Sequence, residues 1–309
     1  MNSIINQAVK ILKKGNLIAF PTENVYGLGA DAQKNKAVLK IFKLKKRPSF
    51  NPLICHFKNI NEVKKQVIFT KKAKILADKF WPGPLTIILK KRKNSNISNL
   101  ASSGLDTLAC RIPSNKIAIR ILKEFNGIIA APSANLSSKL SSTSKKHVVK
   151  NFGKKIFIVD DGLTNYGIES TIVDLSNKIP IILRPGAIKI ENIKNIFPNL
   201  SLLNIKKNKI SSPGQLKKHY CPSIPIRLNV KKVRKNEVLL NFGKNSLHSK
   251  IKELNLSENS NLDEAAKKFF EYLHKLDNAK YYGIAVAPIK NTGMGIAIND
   301  RLKRAASNE

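Results

Sequence analysis

Short apolar runs alternate with amphipathic stretches along most of this chain. Near the N-terminus Ile4, Ile5, Ala8, Val9, Ile11 and Leu12 recur at helical spacing, and Gly15 closes the stretch; the pattern predicts an amphipathic helix. Apolar runs at 17–20, 53–57, 85–89, 108–112, 128–131, 156–159, 171–175 and 181–183 predict buried strands, the first ended by Pro21. Helical patterns fall between them at 37–42 and 73–81, the latter broken by Pro82 and Gly83, and a short helix is expected at 190–197. This alternation predicts an α/β domain built on a large, twisted, mixed sheet and spanning 1–203.

The stretch 204–225, NIKKNKISSPGQLKKHYCPSIP with its flanks, departs from that pattern. Its Lys, Ser and Pro content and its lack of periodicity mark a linker. His219 and Tyr220 stand inside it, just before Pro222, where a passive tether has no need of them. A strand at 238–242, a helix at 262–276 and a strand at 282–288 then predict a second, smaller α/β unit over 226–309.

With 309 residues and 42% hydrophobic positions, the chain has material for one large core or two modest ones. No apolar run reaches the roughly 18 residues of a membrane span. The N-terminus has no signal-peptide pattern, so a cytoplasmic location without membrane contact is expected. Cys55, Cys110 and Cys221 are far apart and show no metal-ligand or redox spacing, so they are expected to be inert, with no protein-bound metal. The net charge of +36 has two readings, a surface for nucleic acid or the drift of an AT-rich genome toward Lys, Asn and Ile. Only nine of the 56 basic residues are arginine, so an arginine inside a motif carries extra weight.

GxxxxGK[ST], GxGxxG, HExxH and nucleophile-elbow motifs are absent, and Gly27-Leu28-Gly29 is only a GxG. Lys45, Arg47, Arg111 and Arg184 instead put four cations at predicted strand ends and loops, where a guanidinium fork suits carboxylate or phosphate. The hydroxyl and amide of Ser133 and Asn135 suit phosphate or ribose contacts, or the capping of a turn. His56 on a strand reads by itself as a core histidine.

Seven segments in series change that reading: FPTENVYGLGADA (20–32), KKRPSFNPLICHF (45–57), WPGPLTIIL (81–89), GLDTLACRIP (104–113), AAPSANLSS (130–138), GIESTIVDLS (167–176) and LRPGAI (183–188). In this order they resemble the YrdC-like domain of threonylcarbamoyl-adenylate synthases. SPGQLKKHYCP (212–222) resembles the linker of the long, two-domain members, and the C-terminal 85 or so residues resemble their small, Rossmann-like domain in pattern only. The resemblance implies a nucleotidyltransferase that joins L-threonine, bicarbonate and ATP, with Mg2+ accompanying the triphosphate. The product would pass to a tRNA threonylcarbamoyltransferase.

It also implies residue roles. Arg47, Asn51, Thr107, Ser133, Ser141, Arg184 and Tyr220 would contact ATP or the adenylate. Asn24, His56, Arg111, Ser170 and the backbone of Ala131 would hold threonine. Lys45 with Arg47, and Ser133 with Asn135, would form the paired motifs of the active site, acting by position and charge with no protein nucleophile. Two departures stand out: Asn24 replaces the family's usual threonine, and Cys221 replaces the alanine of its HYAP linker motif. The competing expectations are an RNA-binding module, favoured by the charge and including weak tRNA or double-stranded RNA binding, and a nucleotide-binding regulator of the same fold. The first has no use for a threonine pocket, and relatives of the second kind would lack the long linker and second domain.

Overall fold

A computed structural model describes residues 2–202 and 218–307. The first unit runs α1 (Asn2–Lys13), β1 (Ile18–Phe20), β2 (Gly27–Asp31), α2 (Asn35–Lys45), β3 (Ile54–His56), α3 (Ile60–Gln66), α4 (Lys71–Phe80), β4 (Leu85–Lys90), β5 (Thr107–Arg111), α5 (Lys116–Phe125), β6 (Ile129–Ala130), α6 (Lys145–Phe152), β7 (Phe157–Ile158), β8 (Thr171–Asp174), β9 (Ile181–Arg184), α7 (Ile190–Lys194) and β10 (Ser201–Leu202). The second runs β11 (Ile226–Arg227), β12 (Glu237–Asn241), β13 (Glu253–Asn255), α8 (Leu262–Leu276), β14 (Gly283–Val286) and α9 (Met294–Ala305). Residues 203–217, most of the expected linker, lie outside the described residues.

Ten strands form one mixed sheet in the order β10-β9-β8-β4-β5-β3-β6-β2-β1-β7. The helices that sandwich it follow from their apolar stripes. Ile5, Ala8, Val9 and Leu12 of α1 and Ile117, Ile121, Leu122 and Phe125 of α5 meet over Ile18, Phe20 and Ile129 on one face. Asn115 starts α5 by accepting from the Ala118 N–H, which satisfies one of the free donors of the first turn. On the opposite face Val38 and Ile41 of α2, with Leu76 and Ala77 of α4, cover Leu28, Cys55, Leu108, Cys110 and Val173.

The second unit is a four-stranded sheet in the order β11-β14-β12-β13, parallel throughout, with α8 and α9 packed on it. Its apolar core does not stop at the unit's edge: Leu140, Ile168 and Tyr220 share one buried cluster with Phe269, Phe270 and Leu302. Gly167, at φ +64°, lies so close to α8 that a Cβ there would stand 2.2 Å from the Lys267 carbonyl oxygen. The two units are therefore packed directly on one another.

The periodicity reading places most of these strands and helices, and the 262–276 helix has the expected ends. It missed β2, α3, α5, α6, β10, β11, β13 and α9. β2 is GLGAD, with no β-branched residue to signal a strand. It is a strand because its neighbours demand it, pairing with β1 on one side and β6 on the other, and Gly29 leaves room for the Phe20 ring 2.8 Å from where a Cβ would sit.

Candidate active site

The site grows from strand register. β3 and β5 run parallel with Ile54 opposite Ala109 and His56 opposite Arg111. Alternation puts Ile54 and Ala109 on the face where they join Ile88, Ile172 and Leu183 in an apolar floor. The same alternation brings His56 and Arg111 side by side at the carboxyl ends of the two strands. Between β8 and β9 the register slips, with Ile172 opposite Arg184 but Val173 opposite Ile182. This bulge turns Arg184 to the same face as Ile172. A cavity lies above, lined by Arg47, His56, Arg111, Ala131, Ser133, Ser170, Arg184 and Tyr220, and also by Thr22, Glu169 and His219.

Its cations fall into two kinds. Arg111 is ion-paired to Glu23 at 2.6 Å, with both side chains buried, and the same nitrogen donates to Asn24 Oδ1. Burial alone would raise the pKa of Glu23, but Arg111 outweighs it and holds the carboxylate ionised. Arg47 and Arg184 are held by neutral oxygens. Arg47 donates to the Asn51 carbonyl at 3.0 Å, to Asn51 Oδ1 at 2.6 Å and to the Pro52 carbonyl at 2.8 Å. Arg184 donates to the carbonyl and hydroxyl oxygens of Ser170. Among the described residues neither has a carboxylate partner. Burial lowers the pKa of both guanidiniums, and the repulsion between them lowers that of Arg47 further. Two buried guanidiniums without an ion pair among the described residues thus face one cavity, and the nearby Glu169 carboxylate offsets part of the burial cost for Arg184.

The other expected residues take varied places. Lys45 is buried at the end of α2 and donates to the backbone carbonyls of Ser133 (2.6 Å) and Asn135, which clamps the 133–135 loop. Burial, then Arg47, pushes its pKa well down. Ser133 lines the cavity, whereas the Asn135 amide donates to the carbonyls of Leu136 and Lys139 and serves the turn. Asn51 Nδ2 and His56 Nδ1 are buried without a hydrogen-bond partner among the described residues. Burial, with Arg111 beside it, pulls His56 down to about 3, so its ring is neutral at physiological pH. The Ala131 N–H donates to the Ile54 carbonyl at 2.9 Å, which leaves its carbonyl oxygen as the backbone group for a ligand.

Lys45, Asn51 and Asn135 are outside the cavity lining, and three more expected contacts lie back from it. Asn24 uses both ends of its amide inside the protein, donating to the Ile168 carbonyl and accepting from Arg111, so it orients Arg111. Ser141 donates to Glu169. Thr107 opens β5, four residues and about 13 Å from Arg111 at ~3.3 Å per residue, and is outside the cavity lining.

Comparison with known proteins fits this arrangement. Residues 10–186 match the Sua5–YciO–YrdC family model, described as "Telomere recombination", and residues 188–307 match "Threonylcarbamoyl-AMP synthase, C-terminal domain". The chain belongs to the Sua5–YciO–YrdC family. It is similar to the threonylcarbamoyl-AMP synthase of Pyrococcus abyssi, at 34% identity over 98% of this chain and 94% of the relative. It is likewise similar to that of Bacillus subtilis, at 35% identity over 98% and 92%. The crystal structure of P. abyssi Sua5 complexed with L-threonine superposes with a TM-score of 0.90, at 33% identity over 98% of this chain and 94% of that one. The two family matches meet near residue 187, whereas the first sheet of this Sua5-type chain continues to Leu202.

Sequence reasoning named Glu169 only as a letter in the ESTIV segment and passed over Glu23, His219 as a cavity wall, and Arg301. Glu169 could have been found as a carboxylate beside Ser170. Nothing local marks Arg301, which stands far along the chain in a different unit.

Proposed function

We propose that the protein is an L-threonylcarbamoyladenylate synthase, a nucleotidyltransferase that makes threonylcarbamoyl-AMP, pyrophosphate and water from L-threonine, bicarbonate and Mg2+-ATP. The observation that carries this reading is the division of the cavity's cations. Arg111, already balanced by Glu23, stands beside neutral His56 as a polar pocket. Arg47 and Arg184, without an ion pair among the described residues, stand where a polyphosphate would relieve them. The relatives' printed names, and the threonine bound to one of them, support the same reading.

The steps follow from chemistry. Threonine's amine and CO2 derived from bicarbonate give an N-carboxy-threonine, whose carboxylate attacks the α-phosphorus of ATP as pyrophosphate leaves. No protein nucleophile is required. The residues position two anions and spread their charge. Arg111 holds the amino-acid carboxylate, while His56 Nδ1 and the Ala131 carbonyl suit the hydroxyl and the amine. Arg47 and Arg184 lie toward the phosphates. Glu169, the carboxylate lining the cavity, is engaged by Arg301, and Glu23 behind it by Arg111, so Mg2+ would enter with ATP and be held mainly by phosphate and water. The carbamate is labile in water, and Tyr220, 1% exposed above the cavity, encloses it. The adenylate would serve a tRNA threonylcarbamoyltransferase in the cytoplasm.

The test is pyrophosphate release from protein, Mg2+-ATP and bicarbonate with each amino acid. Threonine should be strongly preferred over valine and serine, and valine in particular should be rejected, because a pocket that hydrogen-bonds the hydroxyl leaves buried groups unpaired when it is missing. Equal release with valine, or release that ignores bicarbonate, would overturn the assignment.

A further inference from the structure

Arg301 lies on α9 of the second unit, yet it is 0% exposed and its contacts are with the first unit's site. Nε donates to Glu169 Oε2 at 3.0 Å. Nη1 donates to the Pro185 carbonyl, the residue after Arg184, and to Asp300 at 3.0 Å. The guanidinium carbon sits 5.3 Å from the centroid of the Tyr220 ring. Nη2 is buried without a hydrogen-bond partner among the described residues, as is the Tyr220 hydroxyl.

Three segments of the site thus converge on one side chain: Glu169–Ser170, Arg184–Pro185 and His219–Tyr220. They are separated from it by 132, 116 and 81 positions. Glu169 extends the network to Ser141, whose hydroxyl it accepts. The end of α9 holds the same closing segment by its backbone, since the His219 N–H donates to the Arg304 carbonyl at 3.3 Å. Tyr220 needs such support. At φ +63° it occupies the left-handed region, costly for a bulky side chain unless its surroundings over-determine it.

We propose that Arg301 is a positioning residue for the nucleotide half of the site: it fixes Tyr220, Glu169 and the Arg184 loop in one arrangement, so the second unit completes a site whose ligand contacts lie on the first unit and the closing segment. The proposal rests on the synthase reading. It gives the second unit a defined task and explains why a buried arginine crosses the junction at all, since burying its charge against Glu169 yields little net stability by itself.

The experiment compares the full chain with Arg301→Ala, Arg301→Lys, Tyr220→Ala and the Arg301→Ala/Tyr220→Ala double variant, each checked for folding by thermal melting. Pyrophosphate release gives separate kcat and KM values for ATP and threonine, and calorimetry gives the Kd for ATP. Arg301→Ala should raise the KM and Kd for ATP at least tenfold and shift the KM for threonine far less. Guanidinium ion at tens of millimolar should restore part of the loss, where sodium at equal ionic strength does not. The double variant should lose less than the sum of the two single losses, because Arg301 acts in part through Tyr220.

Arg301→Lys keeps charge and length without the fork, and it serves as the folded test should the alanine variant unfold; it too should bind ATP more weakly. Folded variants with wild-type ATP parameters, or strictly additive losses, would overturn the proposal. A wild-type chain that releases no pyrophosphate overturns the synthase reading instead, and the ATP affinities of the same variants still decide the role of Arg301.

Discussion

Arg184 lies across Ser170. Its Nε and Nη2 both donate to the Ser170 carbonyl, at 3.1 and 3.0 Å, and Nη2 also reaches the hydroxyl at 3.1 Å. That hydroxyl is itself 2.8 Å from Thr86 Oγ1, so the inner edge of the guanidinium is fixed against two strands. The inner edge is spent on positioning, and Nη1 takes no part in these bonds.

A lysine cannot do both. Arg184→Lys keeps the charge but replaces a planar fork with a point donor. The same holds for Arg47, whose fork is fixed on Asn51 and Pro52. Each lysine variant should lose at least ~1.5 kcal/mol of transition-state stabilisation, roughly tenfold or more in kcat/KM for ATP. Pyrophosphate release checks this, and wild-type rates in both variants would show that the forks hold no phosphate.

Gly186 sets how closely the loop after Arg184 approaches Ser170. A Cβ there would lie 2.4 Å from the Glu169 carbonyl oxygen, the Ser170 carbonyl carbon and the Thr171 nitrogen, all backbone atoms that no rotamer change can move aside. Gly186→Ala should therefore cost about 1–3 kcal/mol of stability and pull Arg184 off Ser170. A melting curve and the ATP KM report the two effects. An unchanged KM in a folded variant would mean that the loop relaxes elsewhere.

Acid should loosen the junction between the units. His147 of α6 and His274 of α8 stack with ring centroids 3.7 Å apart. Burial, then the neighbouring His274, pulls His147 down to about 3; burial pulls His274 down to about 4 and His56 to about 3. Folded values below the unfolded ~6.5 mean that the unfolded chain takes up protons first. The stability these groups contribute is complete above pH 6.5 and declines as pH falls from there toward 3–4. The carboxylates Glu23 and Glu169, also depressed, add their loss only as pH falls through the usual carboxylate range and below it. Tm should therefore fall between pH 6.5 and 5, where histidine alone accounts for the slope. His147→Phe keeps a stacked ring and should flatten that slope, and an unchanged slope would remove this pair from the explanation.

The net charge of +36 predicts a polyanion response of its own. If it acts on RNA, tRNA should bind with an affinity that drops steeply with salt, since each neutralised phosphate releases a counterion. If it is mostly codon drift, binding should be weak and equal for unrelated RNAs. Filter binding at several salt concentrations separates these cases, and a tight, salt-insensitive complex fits neither.

The site was legible where a motif is local. Lys45, Arg47, Ser133 and Ser170 could be named because each sits in a short segment whose neighbours constrain it. The placement of His56 beside Arg111 needed strand register, and the turn of Arg184 toward the cavity needed a bulge that apolar periodicity does not encode. Asn24 was expected at the ligand; the fold uses it to orient Arg111.

Composition and periodicity by themselves determined that this chain is α/β, that a 262–276 helix closes on a second unit, and that arginines sit at strand ends. These are consequences of spacing within a few residues, which the chain carries wherever it folds. Which cations are neutralised and which are left for a ligand was decided only by the tertiary structure. Glu23 reaches Arg111 across 88 positions, and Glu169 reaches Arg301 across 132. A charge balance of that kind depends on distance in space and on exclusion of water, and neither exists until the chain has folded and, for Arg301, until the two units have packed.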